Sequence, residues 1–166
     1  MAAAKCKIFV PSDTTARSLG ADAVAQAIAA EAARRGSAVE IVRNGSRGLY
    51  WLETLVEVVV DGVRHAYGPV VAADVPALFD AGFLTGGRHA LALGPTEKID
   101  YLAKQTRLTF ARVGITDPVS LEDYRAHGGY RGLANALAPA ARRRMTEQAF
   151  AAAMKAPEEG FDFQHP

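Results

Sequence analysis

Apolar residues follow two different spacings in the first half of the chain, and each spacing predicts one kind of element. Short runs rich in β-branched residues predict four strands, at 7–11, 39–42, 55–60 and 63–67. Between the first two runs, apolar residues recur every three to five positions from Gly20 to Arg35, which predicts a helix that ends at Gly36. Asp61-Gly62 predicts a tight hairpin between the last two strands.

The order of these elements predicts the fold class. A strand, a helix and a strand are followed by the hairpin, and residues 73–81 then predict a short helix with Asp74 as its cap. Two strands joined by a helix are expected to run parallel with a right-handed crossover. The pattern therefore predicts an α/β domain at residues 5–82 of the thioredoxin-like type, in which helices pack on a small mixed sheet.

The second half of the chain has a different pattern. A Gly-rich and then apolar stretch, from Phe83 to Gly94, is predicted to be a connector. After it, the spacing of apolar residues predicts short helices at 97–107, 120–126 (capped by Ser120), 130–138 and 145–155. Helices this short bury no core of their own, so we expect residues 83–156 to form a helical segment that docks on a partner. The acidic tail at 157–166 has a composition that predicts disorder.

Composition narrows the class of protein. Hydrophobic residues make up 49% of the chain and charged residues 22%, with a net charge of +1, so we expect a globular protein with neither a nucleic-acid nor a membrane partner. Cys6 is the only cysteine, which excludes an internal disulfide. The N-terminus lacks the apolar core of a signal peptide. These features predict a soluble, cytoplasmic protein.

The candidate site comes from the topology of the predicted sheet. Parallel strands end at the same edge, so the loop at 11–19 and the loop at 43–48 should lie side by side. The residues that make up this possible partner or anion surface are Ser12, Asp13, Arg43, Asn44, Gly45, Ser46 and Arg47. The arginines and backbone N–H groups of the second loop suit an anion. The alternative is a tight turn with solvated arginines.

Redox chemistry at these loops is excluded by the absence of thiols. A thioredoxin-type enzyme needs a Cys-x-x-Cys pair after the first strand, and a thioredoxin-like ferredoxin needs four thiolates from the two loops. Here Ser12 and Ser46 stand roughly where thiolates would be. The four histidines have no partner at metal-ligand spacing. We therefore expect no catalytic, cofactor-binding or metal-binding residues in this chain.

Two stretches carry a resemblance to a known family. Val42 to Glu53 (VRNGSRGLYWLE), with Tyr67 to Val70 (YGPV), resembles the N-terminal part of the β (flavoprotein) subunit of NAD-dependent, molybdenum- or tungsten-containing formate dehydrogenases. Tyr101 to Leu133 looks like the entry helices of that subunit. These are similar in turn to the start of the NADH-binding flavoprotein subunit of respiratory complex I. The resemblance covers most of residues 5 to 150.

The resemblance implies a structural role in electron transfer. The full family subunit binds FMN and NAD through a Gly-rich segment after the helix that matches Met145 to Lys155, and it holds a [4Fe–4S] cluster. None of those motifs occurs in this sequence, so the expected function is docking with other subunits of a formate dehydrogenase-like complex. Whether the chain takes part in the oxidoreductase reaction is left open. The alternative is a stand-alone thioredoxin-like module that binds a small anionic ligand or a protein partner.

Overall fold

The computed structural model describes residues 5–137, and that part of the chain contains a mixed five-stranded sheet with helices. The strands are β1 (Cys6–Phe9), β2 (Val39–Val42), β3 (Val56–Val60), β4 (Val63–Tyr67) and β5 (Ala92–Pro95). Their order in the sheet is β2-β1-β3-β4-β5. β1 and β2 are parallel, whereas the β1–β3, β3–β4 and β4–β5 pairs are antiparallel. The predicted α/β class is therefore confirmed.

The helices of the described residues are short apart from one. They are α1 (Thr14–Ser18), α2 (Ala21–Arg34), α3 (Val75–Asp80), α4 (Asp100–Ala103), α5 (Leu121–Ala126) and α6 (Arg131–Leu137). Single 3-10 turns lie at Tyr50–Leu52, Ala72–Asp74, Phe83–Thr85 and Thr96–Lys98. No helix among residues 5–137 is long and apolar enough to cross a membrane.

The alternation of side chains along the strands divides the interior between two faces of the sheet. Ile8, Val56 and Val58 belong to the main core, which α2 and α3 cover. α2 contributes buried residues at helical spacing, among them Val24 and Ile28. The opposite face holds a smaller apolar cluster, whose buried members are Leu49, Leu55, Ala66 and Leu102. The sheet thus has one mainly apolar face and one face where charged residues also lie.

The local signals for strand, helix and hairpin are confirmed. β2 and β4 have the predicted bounds, and β1 and β3 differ from theirs by one or two residues. At the hairpin, Asp61 and Gly62 both adopt positive φ, 49° and 77°, as a turn of the Asp-Gly type requires. The backbone N–H of Asp123 donates to Ser120 Oγ at 3.1 Å, so the predicted cap of α5 is present.

Asp74 lies at the N-cap position of α3, as predicted, but its side chain makes a different contact from the expected one. Its Oδ2 accepts from the backbone N–H of Val71 at 2.9 Å, which closes the 3-10 turn before α3. No side-chain hydrogen bond caps α3 itself. The short polar side chain reaches back to the free N–H of the turn that precedes it.

The predicted connector is wrong in part, because it contains the fifth strand. Ala92–Pro95 pairs with β4 in an irregular register, and Phe83 is fully buried in the main core. Its ring meets Tyr67 and Phe79 edge-to-face, at centroid distances of 5.7 and 5.0 Å. Gly94 and Pro95 lie within β5 and hide its signal in the sequence, since glycine and proline are depleted in strands.

The helix predicted at 97–107 is also wrong over most of its length. A 3-10 turn covers Thr96–Lys98, and α4 covers only Asp100–Ala103. Ile99 and Leu102 pack on the smaller apolar cluster, but Arg107 turns back and donates to the carbonyl of Arg47 at 2.6 Å. That contact requires the chain to leave the helix after its first turn.

The chain divides into two compact units, one through Asp123 and one from Tyr124. In the described part of the second unit, α6 agrees with the helix predicted at 130–138, and Tyr124 meets Tyr130 edge-to-face at 5.1 Å. The domain division drawn from the sequence at residues 82 and 83 stays a prediction. The helix predicted at 145–155 and the tail at 157–166 lie outside the described residues.

Candidate functional site

The two loops that the sequence places side by side are in contact. The backbone N–H of Val10 donates to the carbonyl of Val42 at 3.0 Å, and that of Ser12 donates to the carbonyl of Asn44 at 2.9 Å. These hydrogen bonds extend the parallel pairing of β1 and β2 into the loops. The predicted adjacency is confirmed.

Arg43 connects the second loop to the first loop and to α2. Its guanidinium donates to the carbonyls of Val10 and Pro11, at 3.1 and 3.0 Å, and to the carboxylate of Asp22 at 2.6 Å. These hydrogen bonds, with one from Arg17, lower the pKa of Asp22 below its usual range. Arg43 is therefore used within the fold.

The serine and carboxylate side chains of the loops also bind one another and the backbone. Asp13 Oδ1 caps α1 by accepting from Thr15 and Ala16 N–H groups, at 3.1 and 3.3 Å. Ser46 Oγ donates to Glu53 Oε1 at 2.7 Å and accepts from the Gly48 N–H. Burial raises the pKa of the Glu53 carboxyl.

Arg47 is buried, with 3% of its surface exposed, so the alternative of a turn with solvated arginines does not hold for it. Its Nε lies 3.9 Å from Glu57 Oε1, and Arg64 Nη1 lies 3.3 Å from Glu57 Oε2. We call Arg47, Glu57 and Arg64 the buried charge cluster. It occupies the sheet face opposite α2, because Glu57 alternates with the core residues Val56 and Val58. Burial is the main cause of a lowered pKa for Arg64.

A segment at residues 105–116 crosses over the second loop and is held there by polar side chains. Asn44 donates to the carbonyl of Gly114 at 2.7 Å. Arg64 donates to the carbonyls of Gly114 and Ile115, at 2.8 and 2.5 Å. Its guanidinium also lies 3.4 Å from the centre of the Phe9 ring. The backbone of the 105–116 segment is thus fixed, while Leu108 and Phe110 of the segment stay exposed.

A cleft of about 710 Å³ lies between the second loop and the 105–116 segment. Arg47, Arg107, Gln105 and Ser46 supply polar groups to its wall. The large side chains of the wall are Tyr50, Tyr101, Leu108, Phe110 and Val113. Each of these five is between 43% and 85% exposed. The cleft is therefore apolar at its rim and charged at the side of Arg47 and Arg107.

The predicted site residues thus have different uses. Ser12, Asp13, Arg43, Asn44 and Ser46 all make hydrogen bonds within the fold. The residues of the predicted site that line the cleft are Asp13, Gly45, Ser46 and Arg47. Sequence reasoning missed Glu57, Arg64, Glu97 and Arg107. A charged residue inside the apolar run Val56 to Val60 was a signal for Glu57, but alternation alone also fits a solvent-facing side chain.

Metal binding has no candidate among residues 5–137. No three His, Cys, Asp or Glu side chains of that range come together as ligands. His89 Nδ1 accepts from the Leu91 N–H at 3.2 Å, which is a turn contact. The expectation that the chain binds no cofactor stays a prediction.

Neither protein-family models nor curated proteins match this chain.

Gly114→Ala is expected to lower the free energy of unfolding by about 2 kcal/mol. Gly114 has φ +75°, and an added Cβ would lie 2.5 Å from Arg47 Cδ. The matched control is Gly36→Ala, at φ +65° with nothing within 4 Å of the added atom, which should cost about 1 kcal/mol from backbone strain alone. Urea denaturation of both variants measures the difference. Equal losses would show that Arg47 does not pack against this glycine.

Proposed function

We propose that this chain is a thioredoxin-like scaffold domain that docks within an NAD-dependent formate dehydrogenase-like complex, as the N-terminal part of its β subunit. The sheet supports the thioredoxin-like assignment. β1 and β2 are parallel neighbours, and β3 is antiparallel to β1. β4 pairs with β3, on the side of β3 away from β1. This order agrees with the layout expected from the sequence, with β5 added at the edge.

The state of the two loops supports a scaffold without redox chemistry of its own. Ser12 and Ser46 stand roughly where a ferredoxin-like domain would carry thiolates. Ser12 Oγ bonds the carbonyl of Asn44 at 3.4 Å, and Ser46 Oγ bonds Glu53. Both hydroxyls therefore stabilise the loops, which is a structural use.

The observation that carries the docking proposal is the apolar surface of the 105–116 segment and its neighbours. Leu108 is 85% exposed and Phe110 is 64% exposed. Trp51 is 59% exposed and meets Tyr101 edge-to-face at 5.1 Å. Large apolar side chains that cluster on a surface mark sites of protein–protein contact. Aromatic residues are also enriched at interface centres.

The backbone anchoring of this segment suits docking. Asn44 and Arg64 donate to a backbone carbonyl of the segment, and Arg107 of the segment donates to a backbone carbonyl of the second loop. A surface that is already ordered loses less conformational entropy on association. The domain thus presents a preformed apolar face to its partner subunit.

Affinity purification of the tagged chain from its native cells tests this function. We expect mass spectrometry to find a flavin- and NAD-binding chain at near-stoichiometric yield. The double variant Leu108→Ser, Phe110→Ser should reduce that yield about tenfold or more, because two exposed interface side chains are lost. Val71→Ser, which changes an exposed apolar residue outside the patch (53% exposed), is the control and should leave the yield unchanged.

Two results would contradict the proposal. One is a purified complex without any NADH-linked or formate dehydrogenase-like subunit. The other is stoichiometric FMN or iron in the purified chain alone, measured by absorbance and metal analysis, since a scaffold domain would contain neither.

A further inference from the structure

The guanidinium of Arg47 has hydrogen-bond donors that the described residues do not use. Its Nε and Nη1 are buried and have no hydrogen-bond partner in residues 5–137. Nη2 is its one bonded nitrogen there, and it donates to Glu97 Oε1. Buried arginines are normally satisfied by carboxylate, phosphate or carbonyl oxygens. Because Nε faces Glu57 Oε1 at 3.9 Å, Nη1 is the donor of Arg47 that is suited to an oxygen ligand from outside the fold.

A second, smaller cavity adjoins this arginine. It has a volume of about 180 Å³ and is lined by Arg47, Arg107, Gln105 and Glu97, with Leu102, Ala111 and Ile115 as its apolar wall. A water molecule occupies roughly 30 Å³ in the liquid. The cavity therefore has room for a small oxyanion and a few waters, and Arg47, Arg107 and Gln105 are all hydrogen-bond donors.

The charges around the cavity favour an anion. Arg47, Arg64 and Arg107 carry three positive charges, and Glu57 and Glu97 carry two negative ones, which leaves +1. Glu57 is 1% exposed and lies between Arg47 and Arg64, so its charge is already compensated. Arg107 forms no ion pair with a described carboxylate, and its Nη2 donates to a neutral carbonyl. The uncompensated charge therefore belongs to the cavity wall.

The Glu97 carboxylate occupies part of the position that an external oxyanion would take. Its side chain is 67% exposed although the guanidinium that it contacts is 3% exposed. An exposed carboxylate moves away at little cost, because water solvates it. Glu97 thus bonds one nitrogen of Arg47 in the free protein and is replaceable when a stronger acceptor enters.

We propose that the cavity between Arg47, Arg107 and Gln105 is a binding site for a phosphate-type oxyanion, with Glu97 as an internal competitor. Arg47 contributes a rigid fork of N–H donors. Arg107 adds a second positive charge, and Gln105 adds an amide donor. The site differs from the one expected from the sequence, since Arg43 and Asn44 are already bonded within the fold.

The oxyanion has two sources, free phosphate or the phosphoryl group of a larger molecule. Arg47, Gln105 and Arg107 also line the 710 Å³ cleft, so the two spaces share a wall. Tyr50, Tyr101 and Phe110 lie in the cleft, and a flat apolar group attached to the phosphate would contact them there. Inorganic phosphate and phenyl phosphate therefore distinguish the two sources.

The experiment measures binding of both probes by isothermal titration calorimetry and by thermal unfolding at matched ionic strength. Arg107→Gln should weaken inorganic phosphate binding about tenfold, because a charge-assisted hydrogen bond is lost. Glu97→Gln should tighten it about tenfold, since the competing carboxylate is gone. Arg112→Gln is the control: it removes the same charge from the 105–116 segment but does not line the small cavity. Circular dichroism confirms that each variant is folded.

The outcomes separate clearly. Tighter binding of phenyl phosphate than of inorganic phosphate would support the phosphoryl group of a larger molecule, and equal binding would support free phosphate. The proposal is overturned if neither probe acts beyond the sodium chloride control. It is also overturned if Arg112→Gln weakens binding as much as Arg107→Gln, or if Glu97→Gln does not strengthen it.

Discussion

Glu57→Gln is expected to lower the free energy of unfolding by about 3 kcal/mol. Glu57 is 1% exposed, and its two carboxylate oxygens lie 3.9 Å from Arg47 and 3.3 Å from Arg64. Glutamine keeps the shape but removes the negative charge, which leaves Arg64 without a carboxylate partner among the described residues and leaves Arg47 with Glu97 alone. Chemical denaturation followed by circular dichroism measures the loss.

The control for Glu57 is another glutamate of the sheet. Glu40→Gln removes the partner of Lys7 in a surface pair 3.4 Å apart, where both side chains are about half exposed. Exposed pairs contribute about 0–1 kcal/mol, so this variant should be nearly as stable as the wild type. If Glu57→Gln costs no more than Glu40→Gln, the buried charge cluster does not hold this face of the sheet together.

Phe83→Ala is expected to lower the free energy of unfolding by about 4 kcal/mol. Phe83 is fully buried, and its ring meets Tyr67 and Phe79 edge-to-face. Truncation removes the apolar contacts of a whole ring and leaves a cavity between α3 and the sheet. Differential scanning calorimetry and urea titration measure the change, which should also appear as a lower melting temperature.

Phe110→Ala is the matched control because it removes the same side chain from the surface. Phe110 is 64% exposed, and its loss should cost about 0.5 kcal/mol or less. A small effect of Phe83→Ala, similar to that of Phe110→Ala, would mean that residues 83–95 are a loose connector. The large difference expected here makes that stretch part of the folded core.

The two faces of the sheet differ in what covers them, and this difference leaves only one face with exposed candidate sites. α2 and α3 cover the apolar face. The other face holds the buried charge cluster and the 105–116 segment. Asn44 and Arg64 hold this segment by donating hydrogen bonds to its backbone carbonyls. That face therefore carries both the exposed apolar patch and the oxyanion cavity.

The contact between the two loops was predictable because it follows from a local rule. Two strands joined by a single helix are parallel neighbours, so their following loops meet at one edge. The use of the two arginines was not predictable, since it depends on residues distant in the chain. Arg43 pairs with Asp22, whereas Arg47 meets Glu57 and Glu97. Both arginines look alike in the sequence.

The sequence by itself determined the elements whose signals are local: the strands through Tyr67, α2, the Asp61-Gly62 turn and the cap of α5. Side-chain spacing, turn residues and capping residues act within a few positions, so they can be read directly. Only the tertiary structure decided that residues 92–95 join the sheet and that Arg47 is buried. Both outcomes depend on partners far along the chain, β4 for the strand and Glu57, Glu97 and Gly114 for the arginine, and no local pattern encodes such contacts.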